Sequence, residues 1–273
     1  MEVQWALVLF TVVSGAGAWL FASAMLGALL KKGDDPTKLE TVLSFVLMVV
    51  GGCISVLHLS HVDRILEALN RPTSGIFVEA AMIGVTCAIL AVYFIMLVRG
   101  SSQKARRVVG IFGMVVAVVF TYACGSSYMM AARPAWMSIA LPLAYCATAA
   151  AAGTGLHLLC KGLQKASDES AGFAGTLAGI GAAFGAVASA AFCVHAGSYL
   201  AAAENGAVTS VVILFVCLVA EILCGVGALK KPANATAFGA AAVVLGVAAA
   251  IALRVAMWQI GTPSMDFFLV PLA

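Results

Sequence analysis

The sequence predicts an all-α integral membrane protein: a bundle of eight transmembrane helices with both termini on the non-cytoplasmic side. Three observations predict it. The 273 residues are 63% hydrophobic and only 10% charged, whereas a soluble chain carries about a quarter charged residues. Apolar runs of about 20 residues recur along the whole length, the extent a helix needs to cross a hydrocarbon core of about 30 Å. Basic residues collect in alternate loops, which sets the orientation.

Charge, Gly and Pro divide the chain into spans near 5–30, 40–59, 76–99, 107–131, 135–160, 172–203, 207–229 and 234–259. The first run is read as a span because "MEVQWALVLF" lacks a positive leading region and the run is too long for a signal's apolar stretch. Ala22-Ser23-Ala24 imitates a cleavage site but lies inside it. The second span follows the charged loop around Lys31–Lys38, and the third follows Asn70-Arg71-Pro72. Arg99–Arg107 opens the fourth, Arg133-Pro134 the fifth and the Lys161–Lys165 loop the sixth. Asn205-Gly206 opens the seventh and Lys230-Lys231-Pro232 the eighth. No charged linker interrupts this pattern, so residues 1–273 read as one domain. In the sixth span Gly175/Gly179 and Gly181/Gly185 recur at four-residue spacing, which lets helix backbones approach closely in lipid.

Loops after spans 1, 3, 5 and 7 hold every lysine in the chain together with Arg99, Arg106 and Arg107. The opposite side holds only Arg64, Arg71 and Arg133, and Arg254 sits within the last span. The positive-inside rule places the lysine-rich loops in the cytoplasm and both termini outside.

The cysteines (Cys53, Cys87, Cys124, Cys146, Cys160, Cys193, Cys217 and Cys224) form no Cys-x-x-Cys pair. Iron–sulfur and zinc sites need clustered thiolates, so the chain is expected to hold no metal of its own and its cysteines to serve as small packing residues.

Polar chemistry concentrates at the outer edge, in "VLHLSHVDRILEALNRPTSGIFVEAA" over residues 56–81. His58 falls at the outer end of span 2 and Glu79 in the first outer turn of span 3. At about 1.5 Å per residue, Arg254 lies about 8 Å inside the outer end of span 8 and His195 about 12 Å inside that of span 6. Tyr128 and Tyr199 come near the same level, so several helices can point at one outer pocket. The inner half offers His157 and little else. A charge within a span costs about 2.5–3.5 kcal/mol on insertion scales, which makes such residues functional candidates. The bland alternative is that His58 and Arg254 snorkel to the interface.

Residues 61–70, "HVDRILEALN", place Val62, Ile65, Leu66 and Leu69 on one face, as in an amphipathic surface helix. Its polar residues His61, Asp63, Arg64 and Glu67 would dock a partner, or the helix merely caps the bundle. Glu221 stands apart near the middle of span 7, with a proton relay and a structural hydrogen bond both open to it.

Such a pocket suits the two-electron oxidation of a hydroquinone. A neutral histidine can accept one phenolic proton, a carboxylate can pass it to the surface, and an arginine can stabilise negative charge on oxygen. His58, Glu79 and one of Arg64, Arg71 or Arg254 supply these groups. The electrons then need an acceptor that this chain lacks, so a partner is required.

The run "LHLSHVDRILEALNR" followed by "VEA" resembles the signature of the membrane anchor subunit of the dimethyl sulfoxide reductase family. In it an outer His-Leu precedes an arginine, an Asn-Arg pair and a glutamate in the next helix, here His58-Leu59, Arg64, Asn70-Arg71 and Glu79. The eight-span layout and the late Arg254 are similar to that family too. Where the family carries Gly and then Pro after His-Leu, this chain has Ser60, His61 and Val62.

The resemblance implies a single membrane-anchor domain that oxidises menaquinol or a similar quinol at the outer face in anaerobic respiration. With the motif positions His58, Arg64, Arg71, Glu79 and Arg254, and with His195 from the outer pocket read by depth, the chain would bind the quinol, His58 and Glu79 taking part in the chemistry. Electrons would pass to a four-cluster iron–sulfur subunit docked outside, then to a molybdopterin catalytic subunit. No haem or metal in this chain and no nucleic acid is implied, and the location is the cell membrane. Two other readings stay open. A haem b anchor would use His58 or His61 with His195 as ligands. A secondary transporter would use Glu221, although Pro142 is the one helix break and no internal repeat accompanies it.

Overall fold

The computed structural model of the chain describes residues 2–57, 74–203 and 206–261. Its helices are α1 (Trp5–Leu29), α2 (Lys38–Val56), α3 (Gly75–Val98), α4 (Gln103–Ser126), α5 (Ala140–Leu163), α6 (Asp168–His195), α7 (Gly197–Ala201), α8 (Ala207–Lys230) and α9 (Ala235–Ile260). Among the described residues, all of these except α7 are long and apolar enough to cross a membrane. Successive spans run in alternating directions. One end of the bundle therefore carries the start of α1 and the finish of α9 (the terminal end), and the other carries the lysine loops (the lysine-rich end).

Local chemistry starts and stops these helices. Ser74, Ser102 and Ser167 each accept a hydrogen bond from the third backbone N–H of the helix they precede, which satisfies one of the donors a helix start leaves open. Thr37 and Glu40 form a reciprocal capping box at the start of α2. After α1 and α5 the backbone turns left-handed at Lys31 (φ 57°) and Lys165 (φ 51°), and after α3 it does so at Gly100.

The bundle is small-residue inside and branched-aliphatic outside. α5 and α1 are the most buried spans, while α2, α3 and α8 show most of their surface outward. The core of α5 is alanine-rich, with Ala144, Ala147, Ala150, Ala151 and Ala152 buried. Val46 of α2, Val92 of α3, Val115 of α4 and Val216 of α8 are exposed. Lipid solvates these aliphatics as well as a core would, so association depends on backbone proximity and polar contacts. A Cβ on Gly225 of α8 would lie 2.6 Å from both Gly175 O and Gly179 N of α6. Gly239 of α9 is equally tight, 2.5 Å from Leu159 N of α5.

The spans expected near 107–131 and 135–160 are corrected by this arrangement. α4 stops at Ser126 and α5 starts at Ala140, leaving a loop with a 3-10 turn over Pro134–Trp136. This 127–139 loop joins the two helices at the terminal end of the bundle. The span expected over 172–203 starts earlier, at Asp168, and breaks at Ala196 into α6 and α7.

Candidate functional site

At the terminal end, α1, α3, the 127–139 loop and α9 line an open pocket of about 410 Å³. Gln4 and Leu7 come from the start of α1, and Ser74, Gly75 and Glu79 from the start of α3. Ser127, Tyr128, Met130, Arg133 and Trp136 come from the loop, and Trp258 from the last turns of α9. The Ser127 hydroxyl donates to Glu79 Oε1 at 2.6 Å, which fixes the carboxyl of the pocket's acidic residue.

Much of the rest of the lining is aromatic. Trp136 is 1% exposed and donates from Nε1 to Met257 O at 2.9 Å, so the loop is tied to α9. Trp136 and Trp258 meet edge to face with ring centroids 5.2 Å apart. Tyr128 packs against both, at 6.0 and 6.1 Å. These are favourable geometries for aromatic quadrupoles. The Arg133 guanidinium sits 4.4 Å above the Trp136 ring and donates to Gly261 O. Burial pushes the Tyr128 phenol well above its usual range; Tyr145 and Glu79 add to this and Arg254 opposes it.

Arg254 lies behind this lining and is 1% exposed. It donates from Nε to Thr11 Oγ1 (2.6 Å) and from Nη1 to Thr148 Oγ1 (3.2 Å) and Ala250 O (2.9 Å). Its Cζ stands 4.2 Å over the Tyr145 ring; that ring lies 5.5 Å from Tyr128, and its hydroxyl donates to Met257 Sδ at 3.3 Å. His195 is set to one side, with Nε2 3.4 Å from Pro134 O of the loop. Tyr199 is half-buried against the core.

Of the residues expected from the sequence, the structure places Glu79 and Tyr128 in the pocket, Arg254 one aromatic layer behind it and His195 beside its loop. His58, His61, Asp63, Arg64, Glu67 and Arg71 lie outside the described residues. Ser74 and Gly75, the first residues described after that segment, line the pocket. Sequence reasoning missed Gln4, Ser127, Arg133, Trp136 and Trp258. The two tryptophans carried a signal, since Trp at helix ends marks the membrane interface, but not one that separates a pocket wall from an interface belt.

The lysine-rich end holds a second polar cluster that the sequence did not reveal. Glu40 Oε1 lies 2.7 Å from His157 Nδ1 and 3.4 Å from Lys161 Nζ. Its Oε2 accepts from Thr37 N and Oγ1, both at 2.9 Å, and Gln164 Nε2 donates to Thr37 Oγ1 at 3.0 Å. Glu40, His157 and Lys161 are all buried, so Lys161 is an internal charge and not the loop lysine it resembles in sequence. Glu221 is fully buried, with neither carboxyl oxygen hydrogen-bonded among the described residues. Oε2 lies 3.0 Å from where a Cβ on Gly246 would stand. Among the described residues no three His, Cys, Asp or Glu side chains converge as a metal-ligand set.

No curated protein matches this chain. Residues 1–257 match the family described as DMSO reductase anchor subunit (DmsC). The chain therefore belongs to that family and is a multi-pass membrane anchor of a DMSO reductase-type complex, with catalytic and electron-transfer subunits as partners.

Proposed function

We propose that the terminal-end pocket oxidises quinol on the outer face of the cell membrane and delivers the electrons to an iron–sulfur partner docked there. The observation that carries this reading is Glu79, held by Ser127 at 2.6 Å in a pocket of about 410 Å³ with Tyr128, Trp136 and Trp258 along its wall. A quinol is a flat, apolar ring with two polar oxygens. It suits a site with an aromatic wall and a few well-placed polar groups.

Oxidation of one quinol to quinone releases two protons and two electrons. Glu79 accepts one proton in this scheme and passes it to the terminal end, where the pocket lies. His58, two positions beyond the end of α2, takes the other. Arg64 and Arg71 hold the quinol oxygens from the same segment, and His61, Asp63 and Glu67 face the partner. The electrons leave to the iron–sulfur clusters of the partner and then to the molybdopterin of the catalytic subunit, which reduces the terminal acceptor. Menaquinol, as the donor of anaerobic respiration, fits this order. The steep bias of lysine toward the other end supports placing the pocket outside.

Glu79→Gln keeps the hydrogen bond to Ser127 within reach but cannot take up a proton. It should lower quinol-driven turnover of the membrane-bound complex at least ten-fold, the usual lower range for losing a general base being about 10²-fold. Turnover with a reduced viologen, which bypasses the anchor, should not change. His58→Ala should behave in the same way. Full quinol-driven turnover in both variants would remove the site from this pocket.

A further inference from the structure

We propose that Arg254 is the pocket's built-in counter-charge, a positioning residue that acts on the reacting oxygen through Tyr145 and Tyr128 and never touches the quinol. The proposal rests on the quinol-oxidising reading above and goes beyond it, because it moves the arginine out of the binding contacts.

The first ground is how the charge is held. Every acceptor around the guanidinium is neutral: Thr11 Oγ1 at 2.6 Å, Thr11 O at 3.5 Å, Thr148 Oγ1 at 3.2 Å and Ala250 O at 2.9 Å. Among the described residues no carboxylate pairs with it. Arg254 stands six residues, or about 9 Å, before the end of α9 and is 1% exposed. A buried guanidinium without an anion is costly unless something negative shares its surroundings at some stage of the protein's work.

The second ground is order in space. From the pocket inward, the sequence of groups is the Glu79 carboxyl, the Tyr128 ring, the Tyr145 ring and the guanidinium. Tyr128 lines the pocket with Glu79 and packs against Tyr145 at 5.5 Å with the rings tilted by 38°; the Tyr145 face lies 4.2 Å from Arg254 Cζ. The other titratable groups around it are few. Among the described residues these are Cys124 from α4, Tyr145 from α5 and Tyr128 from the loop, while α1 contributes the Thr11 hydroxyl as an acceptor. On α8, Glu221 lies beside Gly246, eight positions or about 12 Å back along α9 toward its start. His195 of α6 is turned to Pro134 O. The pocket is therefore where negative charge can form within reach of this cation.

The third ground is what such a charge does. When quinol gives up its proton, negative charge grows on its oxygen, and a fixed cation in an apolar, poorly screened setting favours that change without reorganising. Because Arg254 is not among the residues that line the pocket, the effect belongs in kcat and not in KM.

The competing account is a clamp: Arg254 ties α9 to α1 and α5 through Thr11 and Thr148. Three variants of the whole complex separate the two. Arg254→Gln keeps donors and removes charge, Arg254→Lys keeps charge and loses the fork, and Thr148→Asp leaves the arginine but sets a carboxylate against it. A counter-charge predicts a quinol-driven kcat about ten-fold or more lower in Arg254→Gln and Thr148→Asp. Arg254→Lys should stay within about three-fold of the parent, KM should stay within about two-fold throughout, and viologen-driven turnover should not change. A clamp predicts that Lys fails as badly as Gln. Parental kcat in Arg254→Gln, loss shared by Arg254→Lys, or a change confined to KM would overturn the proposal. If Arg254→Gln does not assemble, Thr148→Asp decides, and a parental kcat there is equally fatal. Retained quinol turnover in Glu79→Gln would instead overturn the reading of the pocket.

Discussion

Glu40 does two jobs with one carboxyl group. One oxygen closes the capping box with Thr37, and the other meets His157 and Lys161 from α5. Removing one member of a buried charge cluster leaves the remaining charge uncompensated, at a cost of about 3–5 kcal/mol. Glu40→Gln should therefore lower the midpoint for heat-induced loss of the assembled complex, and adding Lys161→Met should recover much of it. An unchanged midpoint in Glu40→Gln would mean that the cluster is not desolvated. Half of this residue had a sequence signal that a span starting at 40 left unused: Thr37-x-x-Glu40 before an apolar run is a helix-start signature. Its other half was not, because no local pattern says that a histidine 117 positions away will face it. Glu79 shows the same limit from the other side. Its place at the start of a span marked it as functional, yet the Ser127 that holds it and the tryptophans that line the pocket come from elements far apart in sequence.

At the scale of elements, the glycines divide into those that admit a neighbouring backbone and those that do not. Gly225 meets main chain on α6 at 2.6 Å, so a methyl group there forces the helices apart, as overpacking does at a cost of about 1–3 kcal/mol. Gly84 of α3 has nothing within 4 Å of a Cβ. Gly225→Ala should reduce the amount of complex recovered from membranes and its thermal midpoint, while Gly84→Ala should change neither. Equal behaviour of the two would remove backbone proximity as the organising force at α6–α8. The four-residue glycine spacing in α6 announced tight packing but not its partners, which are α8 for Gly175 and α5 for Gly181. The element hardest to read was the 127–139 loop. Its Tyr128, Met129, Met130 and Trp136 are apolar enough to pass for span residues. Contacts distant in sequence, Trp136 Nε1 with Met257 O, Arg133 with Gly261 O and Ser127 with Glu79, make it a pocket wall.

For the whole molecule, the decisive asymmetry is charge between its two ends. Some of the lysine-rich end is internally balanced. Asp35 accepts from Arg106 Nη2 and Arg107 Nε at 3.2 and 3.1 Å, Lys32 pairs with Glu169 at 3.2 Å, and Lys161 is buried with Glu40. Lys31, Lys38, Arg99, Lys104, Lys165, Lys230 and Lys231 remain as loop or helix-end cations at that end, against Arg133 among the described residues at the other. Orientation follows basic residues in short loops and not net charge, so the salt bridges do not weaken the bias. The terminal end, with the pocket, should face outward. A periplasmic-type phosphatase fused after the last residue should be active, and a fluorescent protein that folds only in the cytoplasm should stay dark there. Fused within the loop after α3, the two reporters should exchange behaviour. The reverse pattern would put the pocket and its docking face in the cytoplasm. Quinol protons would then be released on that side, and the electron-transfer partner would have to be sought there too.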